Sequence, residues 1–509
     1  MGRRSRDTRQ TRGSGGPRQL PWRDIVNDYP RIEVLSADQV EAIHLASMDL
    51  LENQGMRVLH PGARDLLARA GATVDDEGQM VRFDRAMVME QVALAPAEFT
   101  LHARNPAKSF RVGGKHLAFT SVGGPAYCND LDRGRRRGRF EDACDYLRLV
   151  QSLDIIHQEG GGPFEPIELP AETRHLDLYL SQIRLLDKNW QPIALGAKRT
   201  RDAINMARIM FGCSAEELAE RPALFAIINT NSPLQLDIPM AEGLIELASA
   251  GQAVCVTPFT LAGAMAPVTL AGTLAQQNAE ALAGITLTQV VRPGAPAVYG
   301  AFTSNVDMRT GSPAFGTPEY AKAAQASGQL ARRYRLPFRS SCVTSSNAVD
   351  AQATYETAMS LWGAITGGAN IIVHAAGWLE GGLTASFEKL VVDAEMLQMM
   401  AEYLRPIEVT PETLALEAIA EAGPGGHFFG VQHTMSRYQT AFYEPFLSDR
   451  RNFESWQEAG AEDAQQRAGR IWKRLLEHYQ QPPLDPAVDE ALEDYVAQRK
   501  AGSAPERSV

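Results

Sequence analysis

Cysteine is scarce in this 509-residue chain: five residues, at 128, 144, 213, 255 and 342, an odd number with no CxxC spacing. A disulfide framework and a zinc ribbon are thereby excluded, and reduced thiols in a cytoplasmic protein are expected. No stretch of about 18 apolar residues occurs, so no membrane span is expected. The sequence contains no GxxxxGK[ST], HExxH or GxSxG, and no GxGxxG after any predicted strand. These absences exclude phosphate cradling by a P-loop, a zincin site, a serine-hydrolase elbow and a dinucleotide fingerprint. The formal net charge is -11, against the basic surface of a nucleic-acid binder.

Hydrophobic residues are plentiful, at 44%, enough for a large core. Residues 1–35 begin with the basic "MGRRSRDTRQTRGSGGPRQLPW", which lacks an apolar signal segment and reads as a disordered or arm-like leader. Residues 36–115 read as α-rich: Ser36 is a candidate N-cap, Gly55 a helix-ending glycine, and Pro61 opens a second helix.

From residue 116 to 405 the rhythm changes. Eight short apolar runs stand at 117–124, 154–161, 192–197, 223–230, 253–259, 296–302, 337–343 and 370–378. Their starts are separated by roughly 30 to 45 residues, room for one helix and two loops, and amphipathic stretches fill the gaps. Eight alternating pairs predict a (β/α)8 TIM barrel. An open doubly wound sheet is the alternative, and the strand count disfavours it. Residues 406–509 read as a helical extension, with "ESWQEAGAEDAQQRAGRIWKRLLEHY" as one long helix.

In such barrels the loops after the strands build the site, so residues distant in sequence should meet over one mouth. The run "ANIIVHAAGWLEGG" (369–382) is apolar until it delivers His374, Trp378 and Glu380. The other strand ends supply Glu159, Asn229, Phe259, Tyr299, Phe302, Thr344 and Ser345. Aromatic rings beside carboxylates suit a quaternary ammonium, which has no N–H to donate and is held by ring faces. Packing is the plainer reading of each ring. His374 is read equally well as a core histidine, and Gln352 and Glu356, four apart on one helix face, as a solvated surface. Cys342 and His374 on neighbouring strands could begin a zinc site, but two ligands are too few.

Three segments carry a resemblance. "LLENQGMRVLHPGARDLLARAGATVD", "EFTLHARNP" and "GPGGHFFGVQHTMSRYQTAFYEPFLSDRRNFESWQEAGAEDAQQRA" resemble the trimethylamine methyltransferase superfamily over about residues 35–495. The resemblance implies a (β/α)8 barrel and methyl transfer from a methylated amine to the cobalt of a separate corrinoid protein, with no cofactor tightly bound to this chain. In archaeal members a pyrrolysine acts near the position of "CVTSSN" (342–347), where this chain has only standard residues. It therefore resembles the non-pyrrolysine branch, the glycine betaine methyltransferases. A quaternary amine leaves as a neutral tertiary amine, so alignment of one methyl with the cobalt carries the reaction and no acid or base is required.

On this reading Tyr299, Phe302 and Trp378 hold the trimethylammonium head. Asn229, His374, Thr344 and Ser345 meet a carboxylate, and Glu159 offsets the cation. His157, Gln352 and Glu356 support the site. A homo-oligomer is expected. The competing functions are a non-catalytic barrel that binds quaternary amines and a zinc-dependent methyltransferase.

Overall fold

The computed structural model describes residues 18–502. The parallel strands are β1 His116–Ser121, β2 Gln158–Glu159, β3 Asn189–Trp190, β4 Phe225–Thr230, β5 Ala253–Ala262, β6 Ala297–Gly300, β7 Phe338–Ser341 and β8 Ile371–Ala376. One main helix follows each: α1 Phe140–Ser152, α2 Arg174–Leu185, α3 Ala197–Phe211, α4 Ile238–Ser249, α5 Leu270–Val291, α6 Pro318–Arg333, α7 Ala351–Gly367 and α8 Phe387–Tyr403. The ladder runs from β4 through β5, β6, β7, β8, β1 and β2 to β3. The expected barrel is therefore met only in part. The chain is a mixed α/β fold on a parallel sheet, and the ladder does not close between β3 and β4. At that seam Asn189 Nδ2 donates to the carbonyls of Ala223 (2.7 Å) and His102 (3.0 Å).

The third strand is displaced from its expected place. It is Asn189–Trp190, and "PIALGA" (192–197) has no strand. Pro192 has no N–H to give a ladder, so pairing stops before it. The expected long C-terminal helix is two, Phe453–Glu458 and Ala464–Glu477. Gly460 and Ala461 both take positive φ, and Asp463 then caps a new start. Before β1, helices Ala37–Asp49, Pro61–Arg69 and Arg85–Val92 alternate with short strands. Strands Met56–Val58, Thr73–Asp75 and Met80–Arg82 form a four-stranded sheet with Gln235–Leu236.

One end of the sheet's interior is plugged. Leu101, Phe110 and Val112 of the hairpin Glu98–Leu101/Phe110–Gly113 pack with Phe225, Ala253, Ala118 and Ile371 at the strand starts. Trp22 joins them, and Ile25–Val26 pairs antiparallel with Leu117 and His116. The described part of the leader thus folds onto its own chain, and residues 1–17 lie outside the described residues. Arg23 and Trp22 also claim His157. Its Nε2 lies 3.0 Å from the Arg23 carbonyl, and its ring meets Trp22 and Phe110 edge-on. His157 is therefore part of the plug, just before β2, and does not support a site at the strand ends.

The outer layer contains a fully buried ion pair, Lys389 with Asp393 on α8. Lys389 Nζ also donates to Thr357 Oγ1 at 2.9 Å, and Asp393 accepts from the Gly377 N–H at 2.8 Å. Burial pushes the Asp393 carboxyl up, against the pull of Lys389. Lys389→Met leaves that carboxylate uncompensated and should cost about 3–5 kcal/mol in urea unfolding.

Candidate active site

Register sets the depth of the interior. Arg339 of β7 pairs with Gly300 of β6 and Ile371 of β8. Ile371 lines the interior with Val298, Cys255 and Val373. Residues in register share a face, so Arg339 and, two residues on, Ser341 point inward as well. Phe302 lies two residues past Gly300 and His374 three past Ile371. At about 3.3 Å per residue, both stand nearer the strand ends than Arg339.

There the rings gather. Phe302 stacks on Phe315 with centroids 5.4 Å apart and meets Phe259 at 4.9 Å, His374 at 5.9 Å and Trp378 at 6.1 Å. His374 and Trp378 are 4.5 Å apart. The Trp378 Nε1–H is tied to the Thr344 carbonyl at 3.0 Å, fixing the indole. The backbone is bent to achieve this. His374 takes φ 59, and the β8–β1 register shifts between Ile372 and Ala376. A positive φ on a histidine is uncommon, and such strain concentrates at functional sites.

Beneath the rings, polar groups lack partners. Arg339 is 1% exposed, and its Cζ sits 5.4 Å from the Phe302 centroid. Nη1 donates to the Ala301 carbonyl at 3.2 Å, but Nε has no partner. Among the described residues no carboxylate acts on it. Burial pushes its pKa down, and only the Cys255 thiol and Tyr320 phenol lie close enough to oppose that. Ser341 Oγ and His374 Nδ1 are also buried without partners. Burial, with the Arg339 charge nearby, holds the His374 pKa well below the usual histidine range, so the imidazole is neutral. Among the described residues the site thus joins a neutral ring wall to one fixed cation, Arg339.

The other expected residues take different places. Tyr299 faces the helices. Its hydroxyl donates to Asn278 Oδ1 and accepts from Gln277 Nε2, both at 2.9 Å on α5, and it does not reach the ring wall. Glu159 also turns away from the interior. It accepts from the Gly161 and Gly162 N–H groups at 3.0 and 2.7 Å and from Gln182 Nε2 on α2 at 2.5 Å, so it braces its own loop and faces no cation. Thr344 and Ser345 are committed to their loop. Thr344 Oγ1 donates to Glu356 at 2.5 Å, and Ser345 Oγ accepts from the Phe315 N–H at 2.8 Å. Gln352 donates to Glu356 at 2.9 Å, placing both behind the loop after β7. Asn229 is half-buried in line with Phe225 and Ile227, its Nδ2 on the Thr257 carbonyl at 3.0 Å. Glu380 is held outside the ring wall by Arg135, at 2.7 and 2.8 Å. Cys342 Sγ donates to the Thr357 carbonyl on α7, so it and the inward ring of His374 do not share an ion.

Phe259 takes its expected place in the wall, while Arg339 and Phe315 complete the site and were missing from the expected set. Arg339 was visible in "PFRSSCV" (337–343) as a lone charge in a strand covered on both faces. Phe315 gave no signal, since it lies in a loop.

Burial raises the Glu159 pKa to about 7, against its N–H donors. An acid whose folded pKa is raised adds stability that is full below the usual carboxylate range and lost as pH rises to about 7. Glu159→Gln should flatten that fall, about 3 kcal/mol in size, in urea titrations at successive pH values.

The sequence model of the family described as trimethylamine methyltransferase (MTTB) matches residues 1–504. The glycine betaine methyltransferase of Desulfitobacterium hafniense (strain Y51) is 38% identical over 471 residues, covering 92% of this chain and 98% of that protein. The trimethylamine methyltransferase MttB2 of Methanosarcina mazei is 29% identical over 474 residues, covering 89% and 92%. The Methanosarcina barkeri monomethylamine methyltransferase (MtmB) structure aligns with TM-score 0.48 at 11% identity, covering 87% of this chain and 94% of that one. With its matched sequence and the segments that carry the resemblance, the chain belongs to the trimethylamine methyltransferase family.

Proposed function

We propose that this protein transfers a methyl group from a quaternary amine to the corrinoid of a separate protein. The ring wall of Phe259, Phe302, Phe315 and Trp378 carries this reading. Ring faces hold a methylated cation, and the neutral His374 beside them adds no competing charge. The relatives' names support a methylated amine as substrate. We also read the eight strands as a (β/α)8 barrel whose seam at β3 and β4 is bridged by Asn189.

The corrinoid cobalt supplies the nucleophile when its carrier docks. Exposed Ile167, Val268, Met308 and Leu383, on loops after β2, β5, β6 and β8, offer that carrier an apolar rim. This chain's part is to hold the cation and present one methyl outward. The C–N bond breaks with its electron pair on nitrogen, giving a neutral tertiary amine, so no proton moves. All five cysteines are free, which supports a cytoplasmic location. Exposed Ile407, Phe429 and Phe442 in the C-terminal extension support a homo-oligomer.

The test is demethylation of glycine betaine by the pure protein with a reduced corrinoid protein as acceptor, followed by release of dimethylglycine. No product from any quaternary amine would overturn the reading. Trp378→Ala should weaken binding of the amine about tenfold or more, measured by calorimetry. Unchanged affinity would make Trp378 a packing residue only.

A further inference from the structure

We propose that Arg339 is the anchor for a substrate carboxylate, so that the protein selects zwitterionic betaines over plain quaternary cations. This rests on the quaternary-amine reading above and adds the residue that sets its specificity. An arginine side chain stays charged in proteins. Burying that charge without an anion is costly, and buried charges are paired in finished structures. Arg339 has no carboxylate partner among the described residues, and its Nε–H has no acceptor. The missing anion therefore arrives with the ligand.

Geometry gives the same answer. Arg339 lies below the ring wall, and Phe302 bridges the two levels with the guanidinium carbon 5.4 Å from its centroid. A betaine entering from the strand ends, carboxylate first, brings its anion to Arg339. Its ammonium head stays level with Phe302 and Trp378, with a methyl facing out. The unpartnered Ser341 Oγ and His374 Nδ1 lie on the neighbouring strands β7 and β8 and can share the carboxylate. Ser341 donates a hydroxyl hydrogen, and the neutral His374 donates when its proton is on Nδ1.

The same arginine rejects other ligands. Choline or tetramethylammonium would bring a second cation near a fixed one with no anion between them, and like charges in a dry site repel strongly. Specificity of this kind uses repulsion as well as attraction.

The experiment compares glycine betaine, choline and tetramethylammonium by calorimetry on the full-length wild type, Arg339→Met and Arg339→Lys, with turnover against a reduced corrinoid protein as a second readout. The wild type should favour glycine betaine. Arg339→Met should lose about 100-fold in glycine betaine affinity, a change of about 2.7 kcal/mol, and should bind tetramethylammonium as well as or better than the wild type. Arg339→Lys should recover part of the loss, because an ammonium keeps the charge without the fork. The wild-type panel decides the matter even if a variant fails to fold. Equal wild-type affinity for all three ligands would overturn the anchor and leave the quaternary-amine reading standing. Binding of none would overturn both.

Discussion

Phe302→Ala should reduce the efficiency of amine demethylation about 100-fold or more. Phe302 meets every other ring of the wall, Phe259, Phe315 and Trp378, and His374 as well, with Arg339 beneath. Its removal takes away a ring face, worth about 2 kcal/mol to a desolvated cation, and leaves a cavity into which the others relax. The cavity alone costs about 3–5 kcal/mol of stability, so the alanine variant confounds the two effects. Phe302→Leu separates them. Leucine keeps most of the volume and has no ring quadrupole. It should lose about 10- to 30-fold in affinity while melting within a few degrees of the wild type. If Phe302→Leu binds the amine like the wild type, the ring acts as filler and the cation is held elsewhere.

Gly377→Ala should destabilise the protein by about 3 kcal/mol or more, near the top of what single substitutions do. Gly377 has φ 98, and an added Cβ would collide with the Tyr146 hydroxyl. The positive φ alone costs roughly 1–2 kcal/mol for any residue with a Cβ. The collision adds the rest, because Tyr146 is fully buried against Phe164 and Phe387 and has no room to withdraw. The Tyr146 hydroxyl has no hydrogen-bond partner. Tyr146→Phe should therefore be neutral or mildly stabilising, since it removes an unsatisfied buried group. In the Gly377→Ala background it should restore the steric part of the loss and leave the φ penalty. Urea unfolding of the two single variants and the double tests this. A double variant as unstable as Gly377→Ala would mean that backbone strain is the whole effect. Because Gly377 precedes Trp378 and donates to Asp393, turnover should fall along with stability.

Much of the fold was legible as rhythm. Spacing alone indicated eight strand–helix pairs, because each pair is a local unit with its own apolar run. The ladder's opening at β3 was not legible, since it depends on how Asn189 and Trp190 meet a strand more than thirty residues later. The site was less legible because facing is a matter of parity. Tyr299 and Phe302 sit on one predicted run, yet Ala301 interrupts it. Residues 297–300 and 302–306 pair with different stretches of β5, and only Phe302 reaches the wall. Gln158 and Glu159 divide in the same way. Gln158 turns to Asn189, while Glu159 turns to the helices. Arg339 was the readable signal that a hydrophobicity-led reading passed over.

The plug of Trp22, Leu101 and Phe110 at the strand starts has a kinetic consequence. On the proposed function, amine, product and corrinoid carrier all work at the strand ends, because this packing fills the strand starts. On that reading the amine is seated before the carrier docks, and the demethylated amine leaves after the carrier has lifted away. Excess carrier should therefore act as a competitive obstacle to the amine, and the steady-state pattern should be that of compulsory order, with the amine first on and last off.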